Sequence, residues 1–119
     1  MEFSNEQSEV CIETWLTCEN ALVLIPETKV EEKNNLHQIL NECANICLGM
    51  IQAIKTRSAN TDKIALLCVG ICEECAEACE KYFFHPLYRK CSEICRQCAD
   101  TMSNLALTSL TLQENNVKA

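Results

Sequence analysis

Apolar residues recur along the chain at alternating steps of three and four, the repeat that places them on one face of an α-helix. Four runs show it. The first carries Cys11, Trp15, Cys18, Leu22 and Ile25, and the second Leu36, Leu40, Cys43, Cys47, Met50 and Ile54. The third carries Ala65, Cys68, Cys72, Cys75, Cys79 and Tyr82, and the fourth Tyr88, Cys91, Cys95, Cys98, Met102 and Leu105. Glu, Lys, Gln and Asn fill much of the opposite faces. No stretch alternates with the period of two that a half-buried strand requires, and no Gly-rich phosphate loop is present.

Breakers mark off the runs. Pro26 stops the first, the polar interval Ser58-Ala59-Asn60-Thr61-Asp62 divides the second from the third, and His85-Pro86 is the third boundary. Ser4 with Gln7, and Thr28 with Glu31, have the spacing of capping boxes. The predicted helices are residues 4–25, 29–57, 61–84 and 87–112, followed by a polar tail, 113–119, expected to fray. Short connections make consecutive helices antiparallel neighbours. The expected fold class is all-α, one domain over 1–119, an antiparallel up-down-up-down four-helix bundle.

Charge and composition narrow what such a bundle does. The 10 Lys and Arg against 17 Asp and Glu leave a net charge of −7, which argues against a nucleic-acid partner, since phosphate recognition needs a basic face. Three Phe, two Tyr and one Trp are too few to fill the core, and 11 Cys take their place. That density usually signals a disulfide scaffold, but such scaffolds are loop-rich, and this chain has 2 Gly and 2 Pro. An odd number of thiols also cannot pair completely. Residues 1–7 show neither the basic region nor the apolar run of an export signal, so a thiol-reducing, cytoplasmic location is expected. No apolar stretch reaches the roughly 18–20 residues that span a bilayer, so no membrane partner is expected.

All eleven cysteines (Cys11, Cys18, Cys43, Cys47, Cys68, Cys72, Cys75, Cys79, Cys91, Cys95 and Cys98) fall on the inward stripes. With a rise of about 1.5 Å per residue and a reversal at each turn, they stack into a column roughly 15–18 Å long. The expected levels run from Cys18, Cys79 and Cys91 beside Leu36, through Cys75 and Cys95 beside Trp15 and Leu40, to Cys11, Cys43, Cys72 and Cys98, one from each helix. Cys47, Cys68 and Met102 follow, with Gln7, and Met50 lies beneath them.

Thiolates and thioethers are soft donors that select Cu(I) first, then Zn or iron–sulfur units. Cu(I) accepts two or three sulfurs, and one thiolate bridges two ions, so a row of sulfurs one turn apart offers many linked sites. A metal-to-thiol ratio near about one then means storage or buffering. Zn wants closed four-ligand sets, and only the level of Cys11, Cys43, Cys72 and Cys98 resembles one. The run Cys72-x-x-Cys75-x-x-x-Cys79 has a faint ferredoxin look, but Glu73, Glu74, Ala76, Glu77 and Ala78 form a straight helix rather than a loop around a cluster. An inert Cys core explains one or two such residues, not eleven. Met50 and Met102 are weaker metal candidates, being ordinary gap-fillers as well. His85, in the turn at one mouth, either hands metal in or caps a helix; His37 lies off the stripe and reads as surface. With no base beside any thiol and no inward carboxylate pair, no enzyme constellation forms.

The segments Cys72-Glu73-Glu74-Cys75-Ala76-Glu77-Ala78-Cys79-Glu80 and Cys91-Ser92-Glu93-Ile94-Cys95-Arg96-Gln97-Cys98-Ala99 resemble the cysteine-rich four-helix-bundle copper storage proteins. The resemblance covers the third and fourth helices closely and the first two in length and inward Cys. It implies Cu(I) storage by core thiolates, assembly into homo-tetramers, and, without a twin-arginine signal, the cytosolic branch. Trp15, Leu22, Leu36 and Leu40 stand where richer members often have Cys, which implies a smaller capacity. The alternatives are an iron–sulfur or thiol redox protein, and an interaction module with no metal.

Overall fold

A computed structural model describes residues 5–25 and 33–118, with side chains described over 6–25 and 34–108. The described residues form four helices: α1 (Asn5–Leu24), α2 (Lys33–Thr56), α3 (Thr61–Glu80) and α4 (Pro86–Lys118). Each packs on two neighbours, α1 on α2 and α4, and α3 on α2 and α4, while the backbones of diagonal helices stay apart among the described residues. Cys18 meets Cys91 and Cys11 meets Met102, so α1 and α4 run in opposite directions. Carried round the square, the alternation gives the up-down-up-down bundle.

The ends of the helices are set by local chemistry. Arg57, at φ 54°, leaves α2 in the left-handed region, and the amides of Arg57 and Ser58 donate back to the carbonyls of Ile54 and Ala53 at 3.2 and 3.0 Å. That pair of bonds satisfies two carbonyls the helix end would leave open. Ser58 Oγ then accepts from the Asn60 amide, and Thr61 Oγ1 donates to the Ser58 carbonyl at 2.6 Å, which starts α3. At the other turn Pro86 opens α4, where a missing N–H costs nothing, and His85 Nδ1 accepts from the Leu87 amide at 3.2 Å. The capping boxes read at Ser4 and Thr28 lie outside the described residues.

Three expectations are corrected. The third helix ends at Glu80 rather than 84. Residues 81–84 instead form successive turns, with Tyr82 N–H on the Cys79 carbonyl and His85 N–H on the Tyr82 carbonyl, both at 3.0 Å. Arg89 fixes this shape by donating twice to the Phe83 carbonyl, at 3.2 and 2.9 Å, with its guanidinium over the Phe83 ring. The fourth helix starts one residue earlier and continues through Lys118, because residues 113–118 contain no Gly or Pro to stop it. Third, Trp15 and Leu22 are only half-buried on the flank of α1, and Thr14 and Ala21 take the axial positions between the cysteines. The ladder 11, 14, 18, 21, 25 keeps the same helical step with side chains small enough for a crowded axis. Thr14 Oγ1 donates to the Val10 carbonyl at 2.6 Å, so its burial leaves no donor unsatisfied.

Candidate metal centre

The thiols sit where the four inward stripes meet. All eleven are free and buried, each with no solvent exposure. Eight of them fall into two groups of four. Cys18, Cys75, Cys91 and Cys95 have sulfurs all within 4.8 Å of one another, and so do Cys47, Cys68, Cys72 and Cys98. Each group takes two thiols one turn apart on a single helix, Cys91 and Cys95 on α4 or Cys68 and Cys72 on α3, and one thiol from each of two other helices. Individual contacts are near van der Waals distance: Cys18 to Cys91 at 3.8 Å, Cys68 to Cys72 at 3.7 Å.

This grouping redraws the boundaries of the expected levels: Cys18 with Cys91, Cys75 with Cys95, Cys47 with Cys68 and Cys72 with Cys98 stay together. The expected set of Cys11, Cys43, Cys72 and Cys98 is not one of the two groups. Cys43 instead lies between the two groups, 3.7 Å from Cys72 and 3.8 Å from Cys95. Cys11 donates to Met102 Sδ at 3.9 Å, at the end of the column. Equal rise along four helices was too coarse a ruler, since a stagger of half a turn, about 2.7 Å, moves a sulfur from one group to the next.

Among the described residues, apolar side chains cap both ends of the thiol column. Met50 and Met102 are buried beneath Cys47 and Cys11, followed by Ile54, Ala65 and Leu105. At the other end Tyr88 is buried, with its ring 5.1 Å from His85 and 6.0 Å from Tyr82. Of the two roles weighed for His85, helix capping is the one its Nδ1 performs. His37 is exposed.

Protons in this core are shared among sulfurs. Cys43, Cys91 and Cys98 collect S–H donors from several neighbours, which pulls their pKa below the ordinary thiol value. Cys11, Cys18, Cys47, Cys72, Cys75, Cys79 and Cys95 are pushed above it, through hydrogen bonds shared with neighbouring thiols and then through burial. Each shared hydrogen bond that favours one thiolate disfavours its partner, so those contributions redistribute protons within the network. Burial acts upward on every one of these groups, and the network as a whole holds its protons more tightly than free thiols do.

Sulfur reasoning from the sequence found every thiol of both groups. Gln7, expected on the level of Cys47, Cys68 and Met102, lies one turn before Cys11 near the start of α1, where its Oε1 is buried with no hydrogen-bond partner.

Comparison with known proteins gives the same picture. The sequence model of the family described as copper storage protein matches residues 2–107. The chain is 31% identical over 106 residues to a Bacillus subtilis (strain 168) protein named uncharacterized cysteine-rich protein YhjQ, covering 85% of this chain and 97% of that one. Among solved structures it is similar to Cu(I)-bound copper storage protein BsCsp3, with a TM-score of 0.80 and 29% identity over 87% of this chain and 97% of the other. A family match over nearly the whole bundle, and a shared fold with a copper-loaded relative, lead to one conclusion: the chain belongs to the copper storage protein family.

Proposed function

We propose that this protein binds and stores several Cu(I) ions within the bundle, with all eleven cysteines as thiolate ligands. The observation that carries the reading is the pair of buried four-thiol groups, joined and flanked by further free thiols. Charge supports it independently. A monovalent ion matched by one thiolate leaves an apolar core neutral. A divalent ion held by four thiolates leaves two negative charges there with no cation among the described core residues to meet them, which is costly. An iron–sulfur cluster is too large for sulfurs this close, because its irons and sulfides must fit between the cysteine ligands. Met102, touching Cys11, is the better thioether candidate, and Met50 the lesser. With Nδ1 engaged, His85 has Nε2 to offer an ion passing that end.

The role is storage rather than catalysis. Eleven unbonded thiols suit a reducing cytoplasm. No helix among the described residues is long and apolar enough to cross a membrane. A homo-tetramer follows from the family resemblance, and the exposed Ile12, Leu16 and Val23 along α1 and Leu66 and Leu67 on α3 offer it apolar surface.

Anaerobic titration of the reduced protein with Cu(I), then ultrafiltration and metal analysis, tests the reading. Many colourless equivalents retained per chain are expected. A brown chromophore with inorganic sulfide, or no retained metal, would overturn it.

A further inference from the structure

The two four-thiol groups, every thiol of which is fully buried, lie at different depths along the bundle. Cys79 flanks the first group, and it is next to Glu80, the last residue of α3. A cavity of about 10 Å³, lined by Leu36, Ala78, Lys81 and Tyr82 among others, opens beside this end. The second group lies deep. Cys68 is about two turns inside α3 from Thr61, and Cys47 more than two turns inside α2 from Thr56. Buried Met50, Met102, Ile54 and Leu105 stand beyond it.

Copper that enters at the Tyr88 end reaches the deep group by crossing from the first. Among the described residues, the hydrogen-bonding sulfur contacts that join the groups both end on Cys43, at 3.8 Å to Cys95 and 3.7 Å to Cys72. Cys43 belongs to neither group of four. We infer that Cys43 is a relay ligand, the one sulfur through which Cu(I) passes between an outer and an inner store. This inference rests on the Cu(I) reading above.

The step is a ligand exchange without redox change. The Cys43 thiol gives up its proton as its Sγ bonds the ion, and the Cu–S bond to Cys95 breaks. The Cys95 sulfur takes up a proton, and copper stays monovalent. The same exchange then repeats from Cys43 to Cys72. Sulfurs already near contact distance keep the ion coordinated throughout, so no bare ion enters the apolar core.

The test is the release of copper from the fully loaded full-length chain into excess bathocuproine disulfonate under anaerobic conditions. In Cys43→Ala, roughly half of the copper, the share of one four-thiol group, should leave as in the unaltered chain. The remainder should leave slower by on the order of tenfold or more, since misplacing reacting atoms by about 1 Å costs up to a hundredfold. Cys43→Ser should behave the same way, because its hydroxyl is a hard donor, and it keeps the site filled if the Ala variant folds poorly. Cys11→Ala, at the column's end, should lose capacity without gaining a slow phase. Release of all copper at the unaltered rate from both Cys43 variants would overturn the relay while leaving storage intact. Loaded copper per chain, measured first in the unaltered protein, reports separately on storage.

Discussion

Raising the pH tests the state of the thiols before any metal arrives. In the unfolded chain a thiol titrates near its ordinary value of 9.0. In the fold, hydrogen bonds shared with neighbouring thiols, and then burial, keep most of these protons in place well above that. A group whose folded pKa is raised gives stability that is fully present below the unfolded pKa and is lost as pH climbs past it. From pH 7 to pH 10, each thiol that stays protonated in the fold costs about 1.4 kcal/mol of stability. Four such thiols remove about 6 kcal/mol, comparable to the whole stability of an ordinary domain, about 5–15 kcal/mol. Metal-free reduced protein should therefore unfold at much lower denaturant near pH 10 than at pH 7, measured by circular dichroism under anaerobic conditions. Cu(I)-loaded protein, whose thiols have already lost their protons, should show little of that loss. It carries the same lysines and tyrosines, so the difference isolates the cysteines. Stability of the metal-free form that is flat or rising over this range would refute the reasoning, because it would mean the core already holds thiolates.

Three further outcomes follow from the same geometry. Cys72→Ala with Cys75→Ala takes one sulfur from each four-thiol group, and should lower Cu(I) capacity while far-UV circular dichroism keeps its helical signal; unchanged capacity would remove these two from the ligand set. Tyr88→Ala, which empties a fully buried position, should cost about 3–5 kcal/mol in denaturant unfolding and leave the thiols of the inner group able to bind. Met102→Leu conserves volume and should cost less than about 1.5 kcal/mol, yet it should loosen the last copper held beside Cys11, seen as a lower count at limiting metal.

Much of this molecule is legible in its sequence. The three-and-four repeat carries the four helices, and the scarcity of Gly and Pro leaves few places to break them. The inward position of the cysteines follows from the same repeat. What the repeat does not carry is stagger between helices. The offset that separates Cys43 from Cys98 and brings Cys18 and Cys75 into one group arises from packing, where a couple of ångströms decide neighbours. The end of α3 shows the same limit. Lys81, Tyr82, Phe83 and Phe84 are compatible with continued helix, and the chain leaves it because Pro86 disfavours a helical His85 and Arg89 holds the Phe83 carbonyl. The choice of Thr14 over Trp15 for the axis is again a matter of space. Both lie close to the inward face, and only the smaller fits against sulfurs less than 4 Å apart.

The position of the metal itself tests the central claim most directly. Crystals of the Cu(I)-loaded protein, measured at the copper absorption edge, should give anomalous peaks strung along the bundle axis between Cys79 and Cys11. Peaks confined to the acidic outer faces, with the core empty of metal, would contradict storage by buried thiolates.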